Sequence, residues 1–269
     1  MSRLPPRRLS VAPMLDWTDR HFRYMARQIT ENAWLYSEMI NAGAIIYGDK
    51  DRFLMFNEGE QPVALQLGGS EPADLAKAAK AAEEYGYNEI NLNCGCPSPR
   101  VQKGAFGACL MNEVGLVADC LNAMQDAVDI PVTVKHRIGV DRQTEYGVAA
   151  EFVGTLYEKT ACRTFIVHAR NAWLDGLSPK ENREVPPLKY DYVYRLKQDF
   201  PELEIIINGG ITTNEQISEH LKHVDGVMVG REAYHNPMIM RDWDRLFYGD
   251  ARAAVTHAEL AGRLKDYAA

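Results

Sequence analysis

The chain has 269 residues, of which 46% are hydrophobic and 25% charged, a composition that is ordinary for a globular protein with a sizeable core. Its formal net charge of −7 argues against a strongly basic nucleic-acid-binding domain, although a local basic face can coexist with an acidic total. Five scattered cysteines exclude a disulfide framework, and no run approaches the roughly 18 apolar residues of a membrane helix.

The chain opens with a basic segment, residues 1–8, which lacks the long apolar stretch of a signal peptide. We therefore expect a cytoplasmic protein without membrane contact or an obligate protein partner. Beyond this segment, short β-branched stretches alternate with longer helical ones, as in repeated βα units around a parallel sheet. We predict strands near residues 9–13, 33–38, 63–67, 88–92, 131–136, 163–168, 204–208 and 225–229.

Eight such strands predict an α/β fold of the (β/α)8, or TIM barrel, type, for which this length is typical. Among the helices, Ser70 can cap a helix over 71–85 that has Pro72 in its first turn, and Gly86 follows its end. Thr213 with Gln216 forms a capping-box pattern after the seventh strand.

After the sixth strand the alternation is interrupted by a charged, proline-containing segment, residues 169–188, which we call the long loop. It should lie at the C-terminal face of the barrel, where loops build active sites. We assign residues 1–240 to the barrel domain and 241–269 to a short helical C-terminal segment.

Polar residues and glycines gather at the predicted strand ends, where functional groups of such barrels lie. In chain order these ends carry Pro13-Met14, Glu38, Gln66, Asn91-Leu92-Asn93, Lys135-His136-Arg137, His168-Ala169-Arg170, Asn208-Gly209-Gly210 and Gly230-Arg231. The last two can bind a phosphate, because glycines let backbone N–H groups approach it and a helix N-terminus favours an anion. Tight-turn glycines are the alternative.

Lys135 and His168 end the fifth and sixth strands, where a cation and a ring donor can hold an anionic flavin or a phosphoryl group. Lys135 can instead be a Schiff-base nucleophile, as in barrel aldolases. His168 can equally be a core histidine with a satisfied hydrogen bond.

A cysteine, Cys96, follows the fourth strand between Gly95 and Pro97, which should fix a loop that presents its thiol. An ordinary thiol is mostly protonated at pH 7 and can act as a general acid. A nucleophilic role is the alternative, although no histidine lies nearby in sequence. Cys94 and Cys96 are too few for a zinc site, so we expect no metal.

At these residues the chain resembles the tRNA-dihydrouridine synthases, most closely their A subfamily. The matching motifs run in order from about residue 10 to residue 240. They are Val11 to Arg20, Gln66 to Gly69, Asn91 to Ser98, Val101-Gln102, Gly104 to Ala108, Val134 to Arg137, Val167 to Arg170, Asn208 to Ile211 and Val229 to Arg231.

The resemblance implies that FMN binds at the top of the barrel, that NADPH reduces it, and that hydride passes to C6 of a uracil while Cys96 protonates C5. Asn93 and Gly95 would lie at the uracil, and Lys180 and Arg183 would contact tRNA, with uridines 20 and 20a of the D-loop as substrates. The flavin contacts would be Pro13, Met14, Leu15, Gln66, Lys135, His168, Asn208, Gly209, Gly210, Gly230 and Arg231.

Two features depart from the family pattern. Cys94 stands where many relatives have an apolar residue, and only residues 241–269 are available for the family's C-terminal helical domain, so we expect a truncated form of it. Three alternatives stay open: an FMN barrel acting on a small pyrimidine, a flavin-free aldolase or isomerase barrel using Lys135, and an RNA-binding module without catalysis.

Overall fold

The computed structural model describes residues 4–268 and contains a closed barrel of eight parallel strands in sequential order. The barrel closes where Leu9 pairs with Val227. The predicted (β/α)8 fold is therefore confirmed. The strands are β1 Leu9–Val11, β2 Trp34–Asn41, β3 Val63–Gly68, β4 Glu89–Cys94, β5 Val132–Arg137, β6 Thr164–His168, β7 Glu204–Asn208 and β8 Gly226–Val229.

The helices lie between the strands and after the last one. They are α1 Arg20–Ile29, α2 Ala42–Tyr47, α3 Lys50–Leu54, α4 Pro72–Glu84, α5 Pro99–Lys103, α6 Val114–Gln125, α7 Tyr146–Lys159, α8 Tyr190–Asp199, α9 Asn214–His220, α10 Arg231–His235, α11 Trp243–Tyr248 and α12 His257–Ala268. None of the described helices has the length and hydropathy needed to cross a bilayer.

The two predicted helix starts have different outcomes. The capping box is confirmed, since the Thr213 hydroxyl accepts from the Gln216 N–H and the Gln216 side chain accepts from the Thr213 N–H. The Ser70 cap is wrong, because α4 begins at Pro72 with Glu71 as its N-cap. A proline keeps the residue before it extended, so the helix cannot begin earlier than the proline.

The strands are buried on both faces, because helices cover the outside of the barrel and side chains fill its inside. The two halves of the interior differ in polarity. An apolar cluster fills the side formed by β1 to β3 and β6 to β8: Ala12, Trp34, Tyr36, Ala64, Ile166, Ile206 and Met228. The interior positions of β4 and β5 carry polar side chains instead: Glu89, Asn91, Asn93, Thr133, Lys135 and Arg137.

Candidate functional site

Parallel register brings the predicted strand-end residues side by side at the C-terminal opening of the barrel, which we call the mouth. Asn93 pairs with Lys135 across β4 and β5, and His168 pairs with Asn208 across β6 and β7. The Lys135 ammonium donates a hydrogen bond to Asn208 Oδ1 at 3.0 Å. Residues from four strands therefore meet in one place, as the sequence predicted for a site at this face.

The nitrogen groups of the mouth have altered acid–base properties. Burial, together with the charge of Arg137, lowers the pKa of Lys135 to about 7. Burial also lowers the pKa of His168 well below its ordinary range, and the neighbouring cations Arg137 and Lys135 act in the same direction. His168 is therefore a neutral ring at physiological pH, while Lys135 gains or loses its proton near neutrality.

The turn after β7 requires its two glycines. Gly209 has φ +123° and Gly210 has φ +70°, a region that side chains disfavour. A Cβ atom at position 209 would lie 2.6 Å from His168 Cδ2. After β8, Gly230 precedes the first turn of α10 and Arg231 opens it. The glycine turn after β7 therefore lies against the histidine ring, and a larger side chain at position 209 would displace that ring.

The mouth holds several cations that no carboxylate of the described chain neutralises. In the described part of the chain, no carboxylate lies within salt-bridge distance of Lys135, Arg137, Arg170 or Arg183. The Arg170 Nε atom is buried and has no hydrogen-bond partner within residues 4–268. Arg137 is 4% exposed, and buried cations are normally paired, so its uncompensated charge fits an anionic ligand.

The remaining predicted flavin contacts lie around the same opening. Gln66 is buried on β3 beside Asn93, whereas Pro13, Met14 and Leu15 follow β1. Leu15 is 62% exposed, so the structure places it at the rim and not inside. Arg231 pairs with Glu184 of the long loop at 2.8 Å.

The cysteine loop, residues 95–98, is held by hydrogen bonds from both sides. Asn93 Oδ1 accepts from the Gly95 N–H at 3.1 Å and from the Cys96 N–H at 3.0 Å. The Cys96 carbonyl accepts from the Ala108 N–H at 2.9 Å. The Cys96 side chain is only partly buried, whereas Cys94 is completely buried and its pKa is raised by that burial. Of these two thiols, Cys96 is the one that a substrate can reach.

Two side chains that the sequence analysis did not assign join the cysteine loop to the long loop. The Arg137 guanidinium donates to the carbonyls of Gly95 at 3.1 Å and Asn182 at 3.0 Å. Gln102 Nε2 donates to the carbonyls of Pro97 at 2.9 Å and Leu174 at 2.8 Å. The sequence signal for Arg137 was an arginine at the inward-facing end of a strand, and the signal for Gln102 was the Val101-Gln102 motif. Which carbonyl groups they contact depends on tertiary packing.

The predicted RNA contacts, Lys180 and Arg183, lie exposed on the long loop at the short turn Glu181–Arg183. Inside that turn Asn182 is fully buried and bonds to both backbone groups of Trp173, which fixes the loop. Partial burial of the guanidinium lowers the pKa of Arg183, and the nearby positive charge of Arg231 lowers it further. Asn182 thus orders the turn that carries both exposed cations, and of the two Arg183 lies close enough to His168 for its charge to act on that ring.

Comparison with known proteins gives a consistent result. A family model described as dihydrouridine synthase matches residues 10–263. A protein from Yersinia pestis named tRNA-dihydrouridine(20/20a) synthase is 63% identical over 251 residues, which cover 93% of this chain and 72% of that protein. Proteins of the same name from Shewanella oneidensis and Vibrio parahaemolyticus are each 56% identical across 97% of this chain, and across 77% and 79% of their own lengths.

Among solved structures, a 2-naphthoyl-CoA reductase in complex with 2-naphthoyl-CoA superimposes with a TM-score of 0.65 at 10% identity. The match covers 87% of this chain and 49% of that one. At this level of identity the likeness shows the barrel fold alone.

Proposed function

The chain belongs to the dihydrouridine synthase family, and from that premise we propose that it reduces the C5=C6 bond of uridines 20 and 20a in the tRNA D-loop. The observation that carries the proposal is 63% identity, over 93% of the chain, to a protein named for that reaction. Because tRNA is the substrate, we place the reaction in the cytoplasm.

We assign the mouth to FMN, with residues 1–240 as its domain and 241–269 as a short helical segment. When bound, FMN reduced by NADPH supplies hydride to C6 of the uracil. The uncompensated cations around Lys135 support this assignment. The residues that would hold the cofactor are Pro13, Met14, Leu15, Gln66, Lys135, His168, Asn208, Gly209, Gly210, Gly230 and Arg231.

Cys96 then acts as the general acid and gives its thiol proton to C5 of the uracil. The product gains a hydride and a proton, and the thiol becomes a thiolate that solvent reprotonates. A thiolate at Cys96 lies close enough to Arg137 and Arg183 to be attracted by both charges. Asn93 and Gly95 would position the uracil, since one N–H of the Asn93 amide remains after its bond to Gln66.

The target uracil has to leave the base stack to reach a site inside the mouth, and the cations of the long loop lie where the flanking phosphates would pass. We expect Lys180→Ala with Arg183→Ala to weaken tRNA binding roughly tenfold and to flatten its salt dependence, because released counterions drive such binding. NADPH oxidation by the flavin should not change. Fluorescence titrations at several salt concentrations measure the tRNA affinity and its salt dependence.

The matched control replaces two exposed lysines far from the mouth, Lys77 on α4 and Lys222 just after α9, which are paired with the nearby carboxylates of Asp74 and Glu219. This control removes the same net charge. Equal weakening by both double variants would show that total charge, and not the long loop, governs tRNA affinity.

The function itself is tested by incubating unmodified tRNA with the protein, FMN and NADPH, and measuring D-loop fragments by mass spectrometry. A gain of 2 Da at each of two uridines is expected, from the two hydrogens added. Unchanged fragments, with NADPH consumed on a free pyrimidine, would replace the proposal with a small-molecule reductase.

A further inference from the structure

A line of hydrogen-bonded side chains runs through the polar half of the barrel, from its closed N-terminal end to the cysteine loop. At the closed end Glu89 is completely buried. Its Oε2 accepts from Arg7 Nε at 2.5 Å. Its Oε1 accepts from the Tyr36 hydroxyl at 2.7 Å and from the Thr133 hydroxyl at 2.6 Å. A carboxylate with three donors anchors this end of the line.

Three amides continue the line toward the mouth. Asn91 Nδ2 donates to Thr133 Oγ1, Gln66 Nε2 donates to Asn91 Oδ1, and Asn93 Nδ2 donates to Gln66 Oε1, each at 2.8 Å. All of these side chains are at least nine-tenths buried. The last amide oxygen, Asn93 Oδ1, receives the backbone N–H groups of Gly95 and Cys96.

The chemistry of the two ends fixes the direction of every bond between them. An ionised carboxylate only accepts, so Thr133 has to donate its proton to Glu89 and accept from Asn91. The backbone N–H of Cys96 only donates, so Asn93 has to present its oxygen there. Both ends therefore demand the same orientation of all three amides. Reversing them would point the Asn93 amino group at two N–H donors.

We propose that Glu89 and Thr133 are positioning residues for Cys96, acting through Asn91, Gln66 and Asn93. They touch neither the thiol nor the mouth, but they hold the three amides in the one orientation that keeps Asn93 Oδ1 at the cysteine loop. The consequence for uridine reduction rests on the proposed function. The consequence for the geometry and accessibility of the Cys96 thiol does not depend on the proposed function.

Thr133→Val tests the proposal, because it keeps the size of the side chain and removes the hydroxyl. We expect the single-turnover rate with prereduced flavin and tRNA to fall at least tenfold. Alkylation of Cys96 by iodoacetamide, measured by peptide mass spectrometry, should become at least threefold faster as the loop loosens. Thr133→Ser should restore both rates to within twofold of the parent, which loss of packing alone would not predict.

Ser10→Ala is the matched control, because Ser10 lies inside the same barrel with a buried hydroxyl that has no hydrogen-bond partner among the described residues. It should leave both rates unchanged. If Thr133→Val does not fold, Thr133→Ala removes the same hydroxyl and is measured instead. If Cys96 were alkylated at the parental rate in the variant that lacks the Thr133 hydroxyl, the proposed positioning of Cys96 by Thr133 would be wrong, even if turnover fell. Failure of the parent to reduce tRNA would instead defeat the proposed function and leave the alkylation result standing.

Discussion

Cys96→Ala is expected to lower the single-turnover rate of uridine reduction roughly 10²- to 10⁴-fold, the usual contribution of a general acid. This corresponds to about 3–5 kcal/mol of activation free energy. The hydride comes from the flavin, so the thiol supplies only the proton. Flavin binding and its reduction by NADPH should therefore remain at the parental level. Rapid mixing of prereduced enzyme with tRNA isolates this chemical step.

Cys94→Ala provides a control two residues away. Cys94 ends β4, is completely buried, and packs in the main hydrophobic core. Truncating it should cost stability, about 1 kcal/mol for one buried heavy atom, and change the rate less than threefold. Equal loss from the two substitutions would indicate damage to the loop, and a larger loss from Cys94→Ala would mean that the acid is the other cysteine.

Most of the fold could be predicted from the sequence because the strands are short, β-branched and separated by clear helix signals. All eight predicted strands exist, and β7 matches residue for residue. The start of α4 could not be predicted from Ser70 alone, since Pro72 determines the backbone of the preceding residue. Local capping preference gives way to this steric restriction.

The site could be predicted less completely. Polar residues and glycines at the predicted strand ends located the mouth. The links made by Arg137 and Gln102 to carbonyls of the long loop depend on where distant segments meet. A single sequence can single out these residues, but it does not show which carbonyl groups they contact. The line from Glu89 to Asn93 likewise depends on inter-strand register, which fixes whether side chains of neighbouring strands face each other.

The second large expected effect is a loss of FMN affinity when Lys135 is replaced. Replacing it with methionine removes one charged hydrogen-bond donor, worth about 2 kcal/mol, so FMN should bind roughly 30-fold more weakly at pH 6.5. Flavin fluorescence quenching measures the dissociation constant. Lys135→Arg should retain most of the affinity if charge, and not Schiff-base chemistry, is what the position contributes.

The pH dependence of FMN binding distinguishes this role further. The pKa of Lys135 in the free protein is about 7, and an anionic ligand stabilises the charged form and raises it. Protonated lysine is then favoured in the complex, so affinity is greatest below pH 7 and falls as pH rises above it. From pH 7 to 8 the protonated fraction falls roughly fivefold, and affinity should fall with it.

The titration of the phosphate, His168 and Arg137 does not interfere between pH 7 and 8. A phosphate monoester has its second pKa near 6 and is already a dianion above pH 7. His168 is neutral throughout, because its pKa is well below the ordinary value, and Arg137 keeps its charge, because even its lowered pKa of about 9 lies above this window. The slope between pH 7 and 8 therefore reports Lys135, and it should disappear in Lys135→Met. A slope that persisted in that variant would assign the proton to another group and remove Lys135 from the flavin site.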